Sequence, residues 1–161
     1  MNENGFKIGD KLGRRFIMIS LVYFIIGTLW MGPIGLLVPS LPGLAGTIYD
    51  TAKMHLVFIG FVAFSIIGMI YYIAPRLGGK PLYSGRLGNI HFWISNIFLP
   101  IVVITYATVI PIYQNIINSP GLSPSNFPSG LMATYLFILM DLFIGIAVQA
   151  IFAYNIYRTI R

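Results

Sequence analysis

Four apolar runs, at residues 16–38, 55–74, 90–113 and 131–157, divide this chain, and each is near or above the roughly 20 residues an α-helix needs to cross a bilayer. No other feature limits the folding options so severely. Backbone amides inside hydrocarbon must find their hydrogen bonds without water, and a helix closes those bonds within its own segment. The expected fold is therefore all-α, a polytopic membrane protein with four transmembrane helices. Composition agrees: 57% of the residues are hydrophobic and 9% charged, against about a quarter charged in a soluble domain.

The punctuation between the runs supports the division. Pro39 and Pro42 stop the first run, and loops at 39–52, 75–89 and 119–130 are rich in Pro, Gly or Ser. Pro100 falls inside the third run, where it should kink the helix because it lacks an N–H and crowds the carbonyl of Asn96. Lys11, Arg14 and Arg15 before the first run give it the charge order of a signal peptide. The run exceeds the roughly 7 to 15 residues of a signal core and no small-x-small cleavage site closes it, so a retained helix is expected. Gly27, Gly32 and Gly35 leave room in that helix for close contact or bending. The organisation expected is a cytoplasmic N-terminal segment at 1–15, a four-helix transmembrane domain at 16–157 and a cytoplasmic C-terminus at 158–161.

Charge placement orients the chain. With the N-terminus inside, Lys7, Lys11, Arg14, Arg15, Arg76, Lys80, Arg86, Arg158 and Arg161 all fall on the cytoplasmic side, and only Lys53 falls outside. The formal charge of +6 is then explained by membrane orientation without nucleic acid, and an affinity for anionic lipid headgroups follows. The absence of cysteine excludes disulfides, thiolate metal sites and a cysteine nucleophile. No phosphate-binding glycine loop, zinc signature or Ser/His/Asp arrangement occurs, so a self-contained hydrolase or transferase is not expected.

The polar residues inside the runs are the candidates for chemistry, because intramembrane ionisable groups are costly. His55 opens the second run, where it either bonds a neighbouring carbonyl or water, or offers an imidazole nitrogen to haem iron. Met31, Met54 and Met132 lie near the outer span ends and would each offer a thioether opposite it, or serve in packing. His91 opens the third run beside Phe92 and Trp93, a pattern expected of an interfacial anchor. Antiparallel neighbours place the two histidines on opposite faces, separated by roughly 30 Å of hydrocarbon, so they do not share one metal. Asp141, near the middle of the fourth run, with Gln149 and Asn155 toward the inside, either starts a proton path or bonds a backbone carbonyl in protonated form.

Several of these residues form a pattern. His55-Leu56, Gly60, Tyr71-Tyr72, Pro75-Arg76 and His91-Phe92-Trp93, preceded by Tyr23, Gly27 and Trp30, resemble helices one to three of subunit I of the haem-copper oxidase superfamily, on the quinol and nitric-oxide-reductase-like side. The similarity runs from about Arg15 to Tyr113. It implies a haem site, b-type by analogy, because the family's low-spin haem takes an axial histidine from the outer end of the second helix, where His55 stands. Lys53 occupies the position where many members have the first histidine of a His-x-His pair. The four spans also lack the later helices that supply the copper and high-spin haem ligands, so the chain alone is not expected to reduce oxygen or nitric oxide.

The family's twelve helices form three arcs of four, and this chain is similar to one arc. That implies a homo-oligomer that rebuilds the ring, a trimer before a dimer; closed cyclic symmetry is also the usual choice of homo-oligomers. The expected function is a small, electron-carrying membrane cytochrome. The alternative is a non-catalytic accessory or assembly subunit of a respiratory complex that has lost its haem, with Lys53 as the trace.

Overall fold

A computed structural model describes residues 3–30, 52–109 and 129–161, and the side chains of 6–30, 52–107 and 136–161. The described secondary structure is all helical, and four helices are long and apolar enough to span a membrane. Helix α1 is Glu3–Leu29. Helix α2 is α-helical at residues 52–54, π-helical over His55–Ala63 and α-helical again over Phe64–Leu77. Helix α3, Gly85–Ile104, runs on into a π-helical turn, Thr105–Val109, and α4 is Ser129–Ile160.

The first helix reaches back through the polar segment before Phe16. Leu12 and Phe16, one turn apart, are both buried, so Lys7, Lys11 and Arg14 share a helix whose other face belongs to the core. The four helices alternate in direction and form a ring in which α1 packs on α2, α2 on α4, α4 on α3 and α3 on α1. Each contributes one ring to the centre: Phe16, Tyr71, His91 and Phe152, with Phe16 5.6 Å from Tyr71 and 5.1 Å from His91 between centroids. Offset and edge-on aromatic contacts of this kind add about 0.5–1.5 kcal/mol per pair beyond burial.

Alternation brings the start of α1, the α2–α3 turn and the end of α4 to one end of the bundle. Apart from Lys53, in the first turn of α2 at the other end, every lysine and arginine lies at this basic end. Arg76 there is held by Asp10 through both carboxylate oxygens, at 2.7 and 3.2 Å, and lies over the Tyr72 ring at 3.6 Å.

Pro100 does not end α3, and the reason is tertiary. The Asn96 carbonyl, which has no N–H partner at residue 100, accepts a hydrogen bond from the Tyr23 hydroxyl of α1 at 3.4 Å. A neighbouring helix thus satisfies what the proline leaves unpaired, as membrane bundles require.

The α2–α3 turn is pinned to α4. Gly79 takes the left-handed conformation at φ 61, which glycine adopts without strain, and the Ser84 hydroxyl caps α3 by accepting from Leu87 N–H at 3.2 Å. Buried Asn155 then brackets Ser84: its Oδ1 accepts from the Ser84 N–H at 3.0 Å and its Nδ2 donates to the Ser84 carbonyl at 2.9 Å. Thr159 Oγ1 accepts from Tyr83 N–H at 3.0 Å. Asn155→Leu keeps the volume but orphans both Ser84 groups, each worth about 1–3 kcal/mol. The expected result is a lower thermal midpoint in detergent, with Asn155→Asp, which retains only acceptors, falling between; an unchanged midpoint would show the bracket to be idle.

Candidate functional site

At the end of the bundle opposite the basic one, α2, α3 and α4 diverge around a cleft of about 550 Å³. The first wall is π-helical. Its i→i+5 turns are wider than α-helical ones, which brings residues four or five apart into line, and His55, Ile59, Ala63 and Phe64 all face the cleft. On α4 the stripe Asp141, Gly145 and Gln149 faces it, joined by Leu142, Ile146 and Val148. From α3 come Ser95, Phe98, Leu99 and Val102. The lining is overwhelmingly apolar, with His55, Asp141, Ser95 and Gln149 as its polar points.

His55 is half-buried, and its ring stacks on Tyr106 at 5.1 Å with planes 24° apart. Tyr106 belongs to the second π-helical stretch, so the two wide turns meet at this end of the bundle. The Asp141 carboxyl is within electrostatic range of both His55 and Tyr106. Three residues singled out one at a time in the sequence, His55, Asp141 and Gln149, therefore share one cavity. The signal was present in their spacing: 55, 59, 63 and 141, 145, 149 each repeat every four residues, the mark of one helix face.

Met54 is exposed and does not line the cleft, since the next residue along a helix turns to another face. Met31 and the side chain of Met132 lie outside the described residues. Asn155 is engaged with the Ser84 backbone, as above, rather than continuing the polar stripe of the cleft.

His91 is not the surface anchor that its neighbours suggest. It is fully buried, stacked on Phe152 at 5.1 Å, with Nδ1 3.1 Å from the Tyr71 hydroxyl; of the Phe92-Trp93 pair only Trp93 is exposed. Helical rotation explains the difference, because Gly88, His91, Ser95, Leu99 and Val102 are all buried along one face of α3 while Trp93, Ile97 and Ile101 face outward. His91 Nε2 and Ser95 Oγ, one turn apart, are buried with no hydrogen-bond partner among the described residues. Tyr71 of α2 thus meets His91 of α3, and both rings contact Phe152 of α4, so this core couples α2, α3 and α4. Sequence reading passed over this role for Tyr71, whose only signal was its place in an aromatic pair.

The donor set bounds what the cleft can hold. No group of three or more His, Cys, Asp or Glu that could hold a metal ion occurs among the described residues. A single imidazole on the wall of an apolar cavity suits a flat prosthetic group whose metal brings its own equatorial ligands, as haem iron does. The volume lies within the roughly 300–1,000 Å³ of ligand pockets, and Gly145 leaves open space where a side chain would stand.

Comparison with known proteins bears on the same region. The model of the family described as Cytochrome C and Quinol oxidase polypeptide I matches residues 14–113. The chain is 35% identical over 83 residues to a heme-copper oxidase subunit I+III of Aeropyrum pernix, covering 50% of this chain and 10% of that protein. It is 27% identical over 156 residues to a Cbb3-type cytochrome c oxidase subunit CcoN1 of Stutzerimonas stutzeri, covering 91% of this chain and 32% of that one. The chain thus spans no more than about a third of the length of these curated relatives. No solved structure matches it.

Proposed function

This chain belongs to the cytochrome c and quinol oxidase polypeptide I family, and from that premise we propose that it is a small haem-binding, electron-carrying membrane protein in which His55 would hold the haem. The observation that supports this reading most directly is the apolar cleft of about 550 Å³ with His55 on its wall. Bound there, a b-type haem would supply one-electron chemistry. The protein's own part is to place and dry the site: Tyr106 orients the imidazole by stacking, and Phe64, Phe98, Leu99, Val102 and Ile146 exclude water.

The cleft opens beside α4, whose most apolar stretch is 6% buried against 33%, 33% and 39% for the other spans. We propose a second chain there as the remaining wall, which would supply any further residue that holds the haem, a homotrimer first and a homodimer next; other respiratory subunits are the further candidates. The basic end is assigned to the cytoplasm, with both termini inside.

The test is the visible spectrum of detergent-purified protein after haem-replete expression. A reduced-minus-oxidised haem band is expected, with a native mass of two or three chains. A colourless protein would overturn the cytochrome reading in favour of an accessory or assembly subunit without haem.

The cleft supports a second role on the same wall. Asp141, followed two turns later by Gln149, gives the cavity an ionisable group and a polar continuation toward the basic end, the ingredients of a proton path. Asp141→Asn is expected to leave haem retention intact and to lower proton flux in liposomes at least severalfold; undiminished flux would remove this role.

A further inference from the structure

The basic end holds cavities of its own, apart from the cleft. A pocket of about 720 Å³ lies between the α2–α3 turn and the last turns of α4, lined by Lys80, Pro81, Leu82 and Tyr83 on one side and Tyr154, Tyr157, Arg158 and Arg161 on the other. We propose that this pocket binds the phosphate headgroup of an anionic phospholipid.

Charge balance is the first ground. Three cationic side chains, Lys80, Arg158 and Arg161, line the pocket, and no acidic side chain is among its described lining residues. The contrast with Arg76 is informative, because that arginine stands at the same end of the bundle, also lies over a tyrosine ring, and is neutralised by Asp10. The pocket cations are held differently. The Arg158 guanidinium lies over Tyr83 at 4.8 Å and Tyr154 at 5.9 Å, two rings themselves in edge contact at 5.8 Å. Arg161 donates to the Tyr157 hydroxyl at 2.7 Å and lies 5.9 Å from that ring. A guanidinium face resting on a ring keeps its charge and its in-plane N–H edge, which is the part that grips phosphate oxygens. The Tyr157 hydroxyl, accepting from Arg161, keeps its own proton to donate.

Rigidity is the second ground. The two walls are fastened together by the Thr159 and Asn155 hydrogen bonds to Tyr83 and Ser84, so the cations are spaced before a ligand arrives. A preorganised site loses less side-chain entropy on binding. Depth is the third. The pocket lies where the spans Ala52–Leu77 and Leu136–Ile160 end, the level of the lipid phosphates, and tyrosines favour that level. Basic pockets between helices on this side are the kind that take anionic headgroups. A free phosphate ion offers the same oxygens but no acyl chains to lie along the apolar exterior of α4, and the experiment separates the two.

The test uses the full chain in detergent, with lipid retention read by native mass spectrometry and thermal midpoint. Added phosphatidylglycerol or cardiolipin is expected to be retained and to raise the midpoint by several degrees, while phosphatidylcholine and inorganic phosphate are not. Lys80→Gln combined with Arg158→Gln should weaken retention about tenfold or more. Lys11→Gln combined with Arg14→Gln removes the same charge elsewhere on the basic end and should leave retention unchanged. Equal weakening by both pairs would overturn the site in favour of diffuse attraction. A response to phosphate alone would overturn the lipid as its ligand, and equal retention of phosphatidylcholine would overturn the role of charge. None of these outcomes bears on the haem reading, which stands or falls at the opposite end of the bundle.

Discussion

His55→Ala is expected to abolish haem retention while leaving the bundle folded, so that the reduced-minus-oxidised band disappears and the helical circular dichroism does not. Both halves follow from where the residue sits. His55 lies at the end of α2 away from the Phe16–Tyr71–His91–Phe152 centre, and its ring stacks on Tyr106. Truncation therefore loses about 0.5–1.5 kcal/mol of stacking but no core layer, and the thermal midpoint should fall by a few degrees at most. The cleft loses the only imidazole among its described lining residues. Met54→Ala should leave the band in place, because Met54 does not line the cleft. Gly145→Leu approaches the same site from the opposite wall. A Cβ added there meets nothing within 4 Å and Gly145 lines the cleft, so a leucine should grow into the cleft, displace haem and spare the helix packing. A band that survives both His55→Ala and Gly145→Leu would place the ligand elsewhere.

The second large effect is structural and falls at the crossing of α1 and α2. A Cβ added at Gly68 would stand 2.8 Å from the Gly13 carbonyl oxygen and 3.1 Å from Phe16 Cβ, and one added at Gly13 would stand 2.7 Å from the Gly68 carbonyl oxygen. Two backbones touch directly at this point, and neither carbonyl can step aside as a side chain would. Close approach through small residues is how helices associate where lipid removes most of the hydrophobic driving force. Gly68→Leu must push α1 outward, and α1 carries Phe16, which is fully buried and in ring contact with Phe64, Tyr71, His91 and Phe92 at 5.0 to 5.6 Å. Overpacking alone costs about 1–3 kcal/mol, and unseating a buried phenylalanine adds up to about 3–5 kcal/mol. Loss of the folded bundle in mild detergent is the expected outcome, with Gly68→Ala intermediate. Gly145→Leu supplies the control, since it adds the same side chain to a helix without a neighbour at that point. Equal thermal midpoints for the two leucine variants would mean that α1 and α2 do not cross as described.

Much of the architecture was available from residue types alone. Span number, the separation of His55 from His91 and the gathering of cations at one end depend on how many apolar residues run together and where charges interrupt them. These are sums along the chain, and a bilayer enforces them whatever the helices do sideways. The resemblance to oxidase subunit I rested likewise on local elements, from His55-Leu56 to His91-Phe92-Trp93, and the family match covers the same stretch.

Rotation of the helices was a different matter. His91, Phe92 and Trp93 are consecutive, yet His91 is in the centre and Trp93 at the surface, because α1 and α4 present Phe16 and Phe152 to one face of α3 and leave the other open. The same cause joins His55 to Asp141 across 86 positions of sequence and commits Asn155 to the turn at Ser84. Periodicity shows that a face exists, but which partner it meets depends on side chains of other helices fitting against it. The sequence by itself therefore determined a four-helix membrane protein of the oxidase subunit I family with a basic end. Only the tertiary structure decided that one histidine is core and the other lines a cavity, since that choice is made by close packing between segments distant in the chain.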